Sequence, residues 1–295
     1  MTEGASQGAL PRHVLDDLID RALGEDLGSG DLTSECCVEP GTQAVARAVA
    51  RQSLVVCGGE VFARVFTQVD RDTQVELLQP DGASVASDAV LWQVRGSARS
   101  LLSAERVALN FTQRMCGIAT VARQYQSAVA EGHQTRVTDT RKTTPGLRLL
   151  ERYAVRVGGA YNHRDNLGSA VLIKDNHIIA AGSITAAVER AKARAPHSSR
   201  IEVEVNTLTE LSEALRASAD IIMLDNMDTP TVREALSLVH DAKGAGGAPI
   251  IEVSGGITLE RIGELSAAGV DVISSGALTH SVPAADISLE LSFDD

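Results

Sequence analysis

The chain has 295 residues, 44% of them hydrophobic and 22% charged, an ordinary globular composition with enough length for a sizeable core. Its formal net charge of −12 argues against a general binder of nucleic acid or of anionic membranes, and no apolar run approaches the ~20 residues of a membrane-crossing helix. The four cysteines, Cys36, Cys37, Cys57 and Cys116, show no C-x-x-C or zinc spacing, which excludes a disulfide framework and indicates a reduced, cytoplasmic protein with free, buried thiols.

Residues 1–11 are small and polar, lack the basic-then-apolar order of a secretory signal, and are expected to fray. Residues 11–23 place Val14, Leu15, Leu18, Ile19 and Leu23 on one helical face, with Pro11 suiting the helix start and Gly24 ending the pattern. The imperfect alternation of residues 44–57 predicts one strand, closed by Gly58-Gly59. A helix follows at 60–69, then strands at 75–78 and 89–95 with turns at Pro80-Asp-Gly82 and Gly96, the makings of a small α+β layer. Residues 100–116 predict a helix burying Leu101, Ala104, Ala108, Phe111 and Met115. Gly117 is expected to break it and mark a domain boundary, giving an N-terminal domain over 1–116 and a second helix at about 120–131.

From Val137 the rhythm becomes strand, loop, helix. Strands are predicted at 137–140, 170–173, 201–205, 221–224, 250–253 and 270–273, a spacing that suits β/α units. Helices fall between them: one at 184–195, one opened by a capping box at Thr207 and Glu210, one capped by Thr229 ahead of Pro230, and one capped by Thr258. Lys243-Gly-Ala-Gly-Gly247 reads as a flexible loop. Short apolar runs of this kind are buried parallel strands, and charges at their C-terminal ends are how a β/α barrel builds an active site. The barrel is expected over 117–283, with the tail 284–295 packing on the N-terminal domain.

Those strand ends carry Arg141, Lys142, Arg164 and Lys174 on the positive side and Glu202, Glu204 and Asp225 on the negative. Arginine presents a planar fork for a carboxylate or phosphate, and lysine a point charge. Arg141, Arg164 and Arg106 suit two carboxylates on one small ring, and Lys142 and Lys174 suit phosphate oxygens. Glu204 and Asp225 suit Mg²⁺, a cofactor that takes oxygen ligands and keeps waters. Ser254-Gly-Gly256 and Ser274-Ser-Gly276 each lie between a strand and a helix, where backbone N–H groups cradle phosphate. Taken singly, each has a plainer reading: Lys174 as a solvated ion pair, Glu202 and Glu204 as an ion-paired layer, His163 and His177 as structural side chains, Arg106 as an exposed helix residue. Their concurrence at successive strand ends favours a polyanionic substrate.

The chain resembles the quinolinate phosphoribosyltransferases. The resembling pieces are Glu25-Asp-Leu-Gly-Ser-Gly-Asp-Leu-Thr33, Glu105-Arg106 through Gly117-Ile-Ala-Thr120, Thr140-Arg-Lys-Thr-Thr-Pro-Gly146, Asn162-His-Arg164, Ile173-Lys-Asp-Asn-His177, Glu202-Val-Glu-Val205, Leu224-Asp-Asn226, Ser254-Gly-Gly-Ile257 and Ser275-Gly-Ala-Leu-Thr-His-Ser281. The resemblance implies an N-terminal α/β sandwich followed by an incomplete, seven-stranded α/β barrel. It implies transfer of phosphoribose from phosphoribosyl pyrophosphate to quinolinate with loss of CO₂, giving nicotinate mononucleotide for NAD biosynthesis. It implies a homodimer, open to further assembly, in which Arg106 of one subunit reaches the other's site. Arg141, His163 and Arg164 would hold quinolinate with it, and Lys142 and Lys174 would contact both substrates. Glu204 and Asp225 would serve the pyrophosphate and its Mg²⁺, and Ser254, Gly255, Gly256, Ser275 and Gly276 the phosphate. Asp165-Asn-Leu-Gly-Ser169 departs from the family pattern. The residues themselves also admit a nicotinate phosphoribosyltransferase, a Schiff-base lyase using Lys174, or a non-enzymatic anion binder.

Overall fold

The computed structural model describes residues 10–242 and 247–293. The start expected to fray, up to residue 9, and the loop expected at Lys243–Gly247, apart from Gly247, lie outside them. Along the chain run α1 (Arg12–Asp26), α2 (Leu32–Cys37), β1 (Gln43–Ala50), β2 (Leu54–Val55), α3 (Gly59–Val69), β3 (Gln74–Leu77), β4 (Ser84–Val85), β5 (Val90–Ser97) and α4 (Ala98–Ser127). There follow β6 (Arg136–Thr138), α5 (Arg148–Val157), β7 (Val171–Ile173), α6 (Asp175–Ala181), α7 (Ile184–Arg194), β8 (Ile201–Val205), α8 (Leu208–Arg216) and β9 (Ile221–Asp225). The last are α9 (Thr229–Asp241), β10 (Ile250–Ser254), α10 (Leu259–Ala267), β11 (Val272–Ser274), α11 (Ala277–His280) and β12 (Ile287–Ser292). Two compact units result: one holds the described chain up to Arg123, Thr143–Gly159 and the segment from Leu278 on; the other holds Gln124–Lys142 and Ala160–Ala277.

The first unit is built on an antiparallel sheet in the order β12-β1-β5-β3. The single strand expected over 44–57 is two, because the exposed Arg51-Gln52-Ser53 turn separates β1 from β2. Val61, Phe62, Val65 and Phe66 share the buried face of α3, as a helical period requires. The Phe62 ring lies 4.8 Å from both Phe66 and Trp92. At the start of α3 the N–H groups of Gly58 and Gly59 point at Asp81, whose carboxylate accepts both at 3.0 Å and also accepts the Tyr153 hydroxyl at 2.8 Å. A helix start needs such acceptors for its orphan donors, and here one comes from the Pro80–Gly82 turn.

Two expectations for this unit are corrected. Gly117 does not break the helix: α4 runs unbroken through it for 30 residues. A Cβ at Gly117 would stand 2.3 Å from the Pro283 carbonyl oxygen, so the glycine is there to let another stretch of backbone lie against the helix. Of the thiols expected to be buried, only Cys57 and Cys116 are; Cys36 and Cys37 are exposed, and all four are free. Cys36 and Cys37 close a six-residue helix that buries only Ser34, too short to cover both.

The second unit carries six parallel strands in the order β6-β11-β10-β9-β8-β7. A single-residue parallel bridge from Tyr161 to Thr138 extends the sheet beyond β6 and supplies a seventh position. No ladder among the described residues joins β7 to Tyr161, so the barrel is incomplete. Val203, Val205, Ile222, Leu224, Val253 and Ile273 are fully buried. The alternate residues, Glu202, Glu204, Met223, Asp225, Glu252, Ser254 and Ser274, share the other face by register, since successive side chains alternate across a strand. Thr207 and Thr258 cap α8 and α10 as expected. The cap of α9 is Asp228, one residue before the Thr229 expected: its carboxylate accepts the Thr231 N–H at 2.9 Å, and Thr229 is already helical.

Replacing Gly117 by Ala separates the two readings of that residue. Better helix propensity alone would add about 1 kcal/mol of stability, whereas the clash costs about 1–3 kcal/mol as overpacking. Urea denaturation of Gly117→Ala is expected to show a net loss of stability.

Candidate active site

Parallel register sets the site in rows. Glu204, Met223 and Glu252 are level across β8, β9 and β10, and Asp225, Ser254, Ser274 and Thr138 form the next row towards the strand ends. Ile173 of β7 is level with Val203, which brings Lys174, one residue on, beside Glu204; the two form a close ion pair. Asp225 is steadied by its neighbour, for the Asn226 side-chain amide donates to its carboxylate at 2.7 Å. Asn226 holds a left-handed backbone, φ 55°, a conformation that asparagine tolerates better than other side chains.

A second group gathers around the turn after Tyr161. The fully buried Asp139 accepts the His163 N–H at 2.8 Å and the Asn162 amide at 2.6 Å. The His163 ring reaches across the strands: Nε2 lies 3.4 Å from Glu202 and 3.5 Å from Glu252, both buried. Nδ1 accepts the Arg164 N–H at 2.8 Å, which places the ring proton on Nε2, facing the carboxylates. Burial opposes a charged imidazole, the hydrogen bonds to Glu202 and Glu252 act the other way and raise its pKa, and the Arg164 N–H at Nδ1 sides with the neutral ring. Burial raises Glu202 in turn, with His163 pulling it back down. The cluster therefore holds its shared proton firmly.

Arg164 is held at the other end too, donating from Nη1 to the Ala170 carbonyl at 3.2 Å. Its pKa is lowered, first by burial and then by the like charge of Arg141. Two guanidinium groups held close enough to repel are suited to a ligand with two carboxylates.

In the loop after β10 the backbone carbonyls are taken up by a cation. Arg261 donates to the carbonyls of Gly255, at 2.7 Å, and Gly256, at 3.2 Å, and to that of Met227. Gly255 has φ 87° and could not carry a side chain, since a Cβ would stand 2.1 Å from Asn226 Oδ1. After β11 the Ser275 N–H is spent on the Thr138 carbonyl, Ser275 Oγ accepts from Ala277 at 3.3 Å, and the helix that follows has only four residues.

Residues 31–116 match the family described as quinolinate phosphoribosyl transferase, N-terminal domain, and residues 118–290 match its C-terminal domain. The chain belongs to the quinolinate phosphoribosyl transferase family. It is similar to a probable nicotinate-nucleotide pyrophosphorylase [carboxylating] of Synechocystis, 42% identical over 95% of this chain and 94% of the relative. It is also similar to the nicotinate-nucleotide pyrophosphorylase [carboxylating] of Mycobacterium leprae, 41% identical over 93% and 96%. Among solved structures, NadC from Streptococcus pyogenes superposes with a TM-score of 0.90 at 40% identity, covering 98% of this chain and all of the other.

Against this family pattern the structure brings Lys174 to Glu204, Arg164 to the influence of Arg141, and His163 to Glu202. Lys142 is exposed one residue from Arg141, its N–H on Thr140 Oγ1. Arg106 belongs to the first unit, where its exposed side chain lies 3.9 Å from Glu105. His177 serves α6, accepting the Lys174 N–H at 3.0 Å. The divergent stretch Asp165–Ser169 folds on itself: Asn166 Oδ1 accepts the Gly168 N–H at 2.8 Å and the Ser169 hydroxyl at 3.1 Å, delivering Ala170 to Arg164. Sequence reasoning missed Glu252 and Asp139. Glu252 carried a signal, a carboxylate enclosed by the apolar residues of β10.

Gly255→Ala is expected to unseat Asn226 and the loop after β10. Pyrophosphate affinity, read by titration calorimetry, should fall by roughly tenfold or more, given about 1–3 kcal/mol for forcing a side chain into this backbone region.

Proposed function

We propose that the protein transfers phosphoribose from phosphoribosyl pyrophosphate to the ring nitrogen of quinolinate, releasing pyrophosphate and CO₂ and forming nicotinate mononucleotide. The observation that carries this is the Arg141–Arg164 pair, two neighbouring cations, with the Arg164 pKa lowered first by burial and then by the like charge of Arg141. They sit in a protein whose formal net charge is −12. A monocarboxylate such as nicotinate would satisfy one fork; quinolinate satisfies both. The family membership and the relatives' names support the same reading.

Arg141 and Arg164, with His163 behind them, hold the ring carboxylates so that the pyridine nitrogen faces the ribose. This positioning removes much of the entropic barrier. The nitrogen lone pair forms the new bond to the anomeric carbon as the bond to pyrophosphate breaks, the electron pair leaving with the oxygen. Lys142 and Lys174 neutralise charge on the phosphates, and the carboxylates of Glu204 and Asp225 face the cationic sugar of the transition state. The alkylated nitrogen is positive, so the adjacent carboxylate leaves as CO₂, its bonding pair remaining on the ring carbon until a proton is taken up.

Glu204 and Asp225 fit Mg²⁺ in donor type: two carboxylates on neighbouring strand ends, which suits an ion that binds through one or two carboxylates and substrate phosphates. Bound there, it would supply further charge neutralisation on the departing pyrophosphate. Lys174 shares Glu204, linking the lysine to that position. The remaining contacts are proposed as phosphate holders: Ser254, Gly255, Gly256 and Gly276, and more weakly Ser275, whose N–H and Oγ are already used within the protein. We propose a homodimer in which Arg106 of one copy completes the site of the other, its exposure leaving the side chain available.

Purified protein given quinolinate, phosphoribosyl pyrophosphate and Mg²⁺ is expected to release CO₂ and nicotinate mononucleotide, and to stop when EDTA is added. Nicotinate in place of quinolinate should give no comparable turnover. Arg141→Lys exchanges a fork for a point charge. It is expected to raise the KM for quinolinate roughly tenfold to a hundredfold, from about 1.5–3 kcal/mol per charged hydrogen bond, and to change that for phosphoribosyl pyrophosphate far less. Equal losses for both substrates would remove Arg141 from the carboxylate clamp.

A further inference from the structure

His163, Glu202 and Glu252 bring ligand atoms within 4.8 Å of one another, a spacing that invites a divalent ion. The hydrogen bonds decide otherwise. A metal on Nε2 needs the ring proton on Nδ1, normally donated onward to an acceptor. Here Nδ1 faces a donor, the Arg164 N–H, so Nε2 carries the proton and meets the carboxylates as a donor.

The same contacts spend both ring nitrogens of His163 inside the protein. One edge is anchored on Glu202 and Glu252, from β8 and β10; the other accepts the peptide N–H of the next residue. Asp139 takes the preceding peptide N–H, that of His163 itself. The backbone on either side of His163 is thus tied down, and the side chain that emerges next is Arg164. The contact to His163 Nε2, at 3.5 Å, is the one that Glu252 Oε1 makes at the edge of hydrogen-bond distance, and a buried carboxylate so weakly met costs free energy rather than supplying it.

We propose that Glu202 and Glu252 are positioning residues that act through His163 to aim the Arg164 guanidinium at a substrate carboxylate. This rests on the activity proposed above and goes beyond it in two respects. It assigns a role to Glu252, and it makes His163 a strut behind the carboxylate clamp instead of a member of it. Arg164 is then fixed at both ends, by the His163 strut at its backbone and by the Ala170 carbonyl at its tip. A small misplacement of such a clamp costs heavily in the transition state.

The test is a double-mutant cycle on the full protein with Glu252→Gln, which keeps size and removes the charge, and Arg164→Lys. Glu252→Gln alone is expected to raise the quinolinate KM about tenfold while leaving the KM for phosphoribosyl pyrophosphate within about twofold. In the Arg164→Lys background the same change is expected to add less than about twofold, because residues acting as one unit are not additive. Fully additive losses, or equal losses for both substrates, overturn the proposal, since a general loosening of the barrel would give either. So does one-to-one binding of Zn²⁺ that Glu252→Gln abolishes, which would make the cluster a metal site. If circular dichroism shows Glu252→Gln unfolded, Glu202→Gln takes its place in the cycle with the same expectations. A wild-type protein without turnover overturns the activity and this inference together; turnover with additive losses overturns this inference alone.

Discussion

Carboxylates on the inward face of a parallel sheet must find hydrogen-bond donors or positive charge, and much of the barrel unit follows from how this is met. Glu202 and Glu252 lie too deep for solvent and are met by His163. Glu204, two residues beyond Glu202 and level with Glu252, is met by Lys174. The His163 arrangement is closed, with its proton held between imidazole and carboxylates; the Lys174–Glu204 pair is open to solvent on the lysine side. Access to water, not position along the strand, distinguishes the two, because the cost of an unpaired charge grows as water is left behind.

The loops work by a complementary rule. Where an anion is to be bound by backbone N–H groups, something else must occupy the carbonyls. Arg261 does so for Gly255 and Gly256, while Asn226 fills the space that a side chain at 255 would need. The shape of the loop therefore depends on Arg261 and Asn226 together. Asp81 plays the opposite part in the first unit, a remote carboxylate taking up the N–H groups that open α3.

Much of this was legible in the sequence because parallel strands announce themselves by short apolar runs. Ile201–Val205 coincides with β8, and the strand-end charges Lys174, Glu204 and Asp225 fall on three neighbouring strands. Thr207 and Thr258 sit where capping chemistry requires. What could not be read depended on contacts distant in the chain. Gly117 looks like a break until the Pro283 backbone is laid against it. Glu252 looks like one charge among hydrophobic neighbours until His163, 89 positions away in sequence, is seen to reach it. The cap of α9 was missed by a single residue, since Asp228 and Thr229 are both competent and only the backbone chooses between them.

The pairing of β12 with β1 has a consequence for how the protein is made. Val45 lies opposite Ser292 and Ala50 opposite Ile287, so the sheet that contains the earliest strand is finished by the latest. While the chain is being synthesised, one edge of β1 has no native neighbour, and the whole barrel unit is translated before that neighbour emerges. Closing so long a loop is entropically slow, and an open edge strand is a template for pairing with other chains. The order of synthesis therefore leaves that edge of β1 open until β12 emerges.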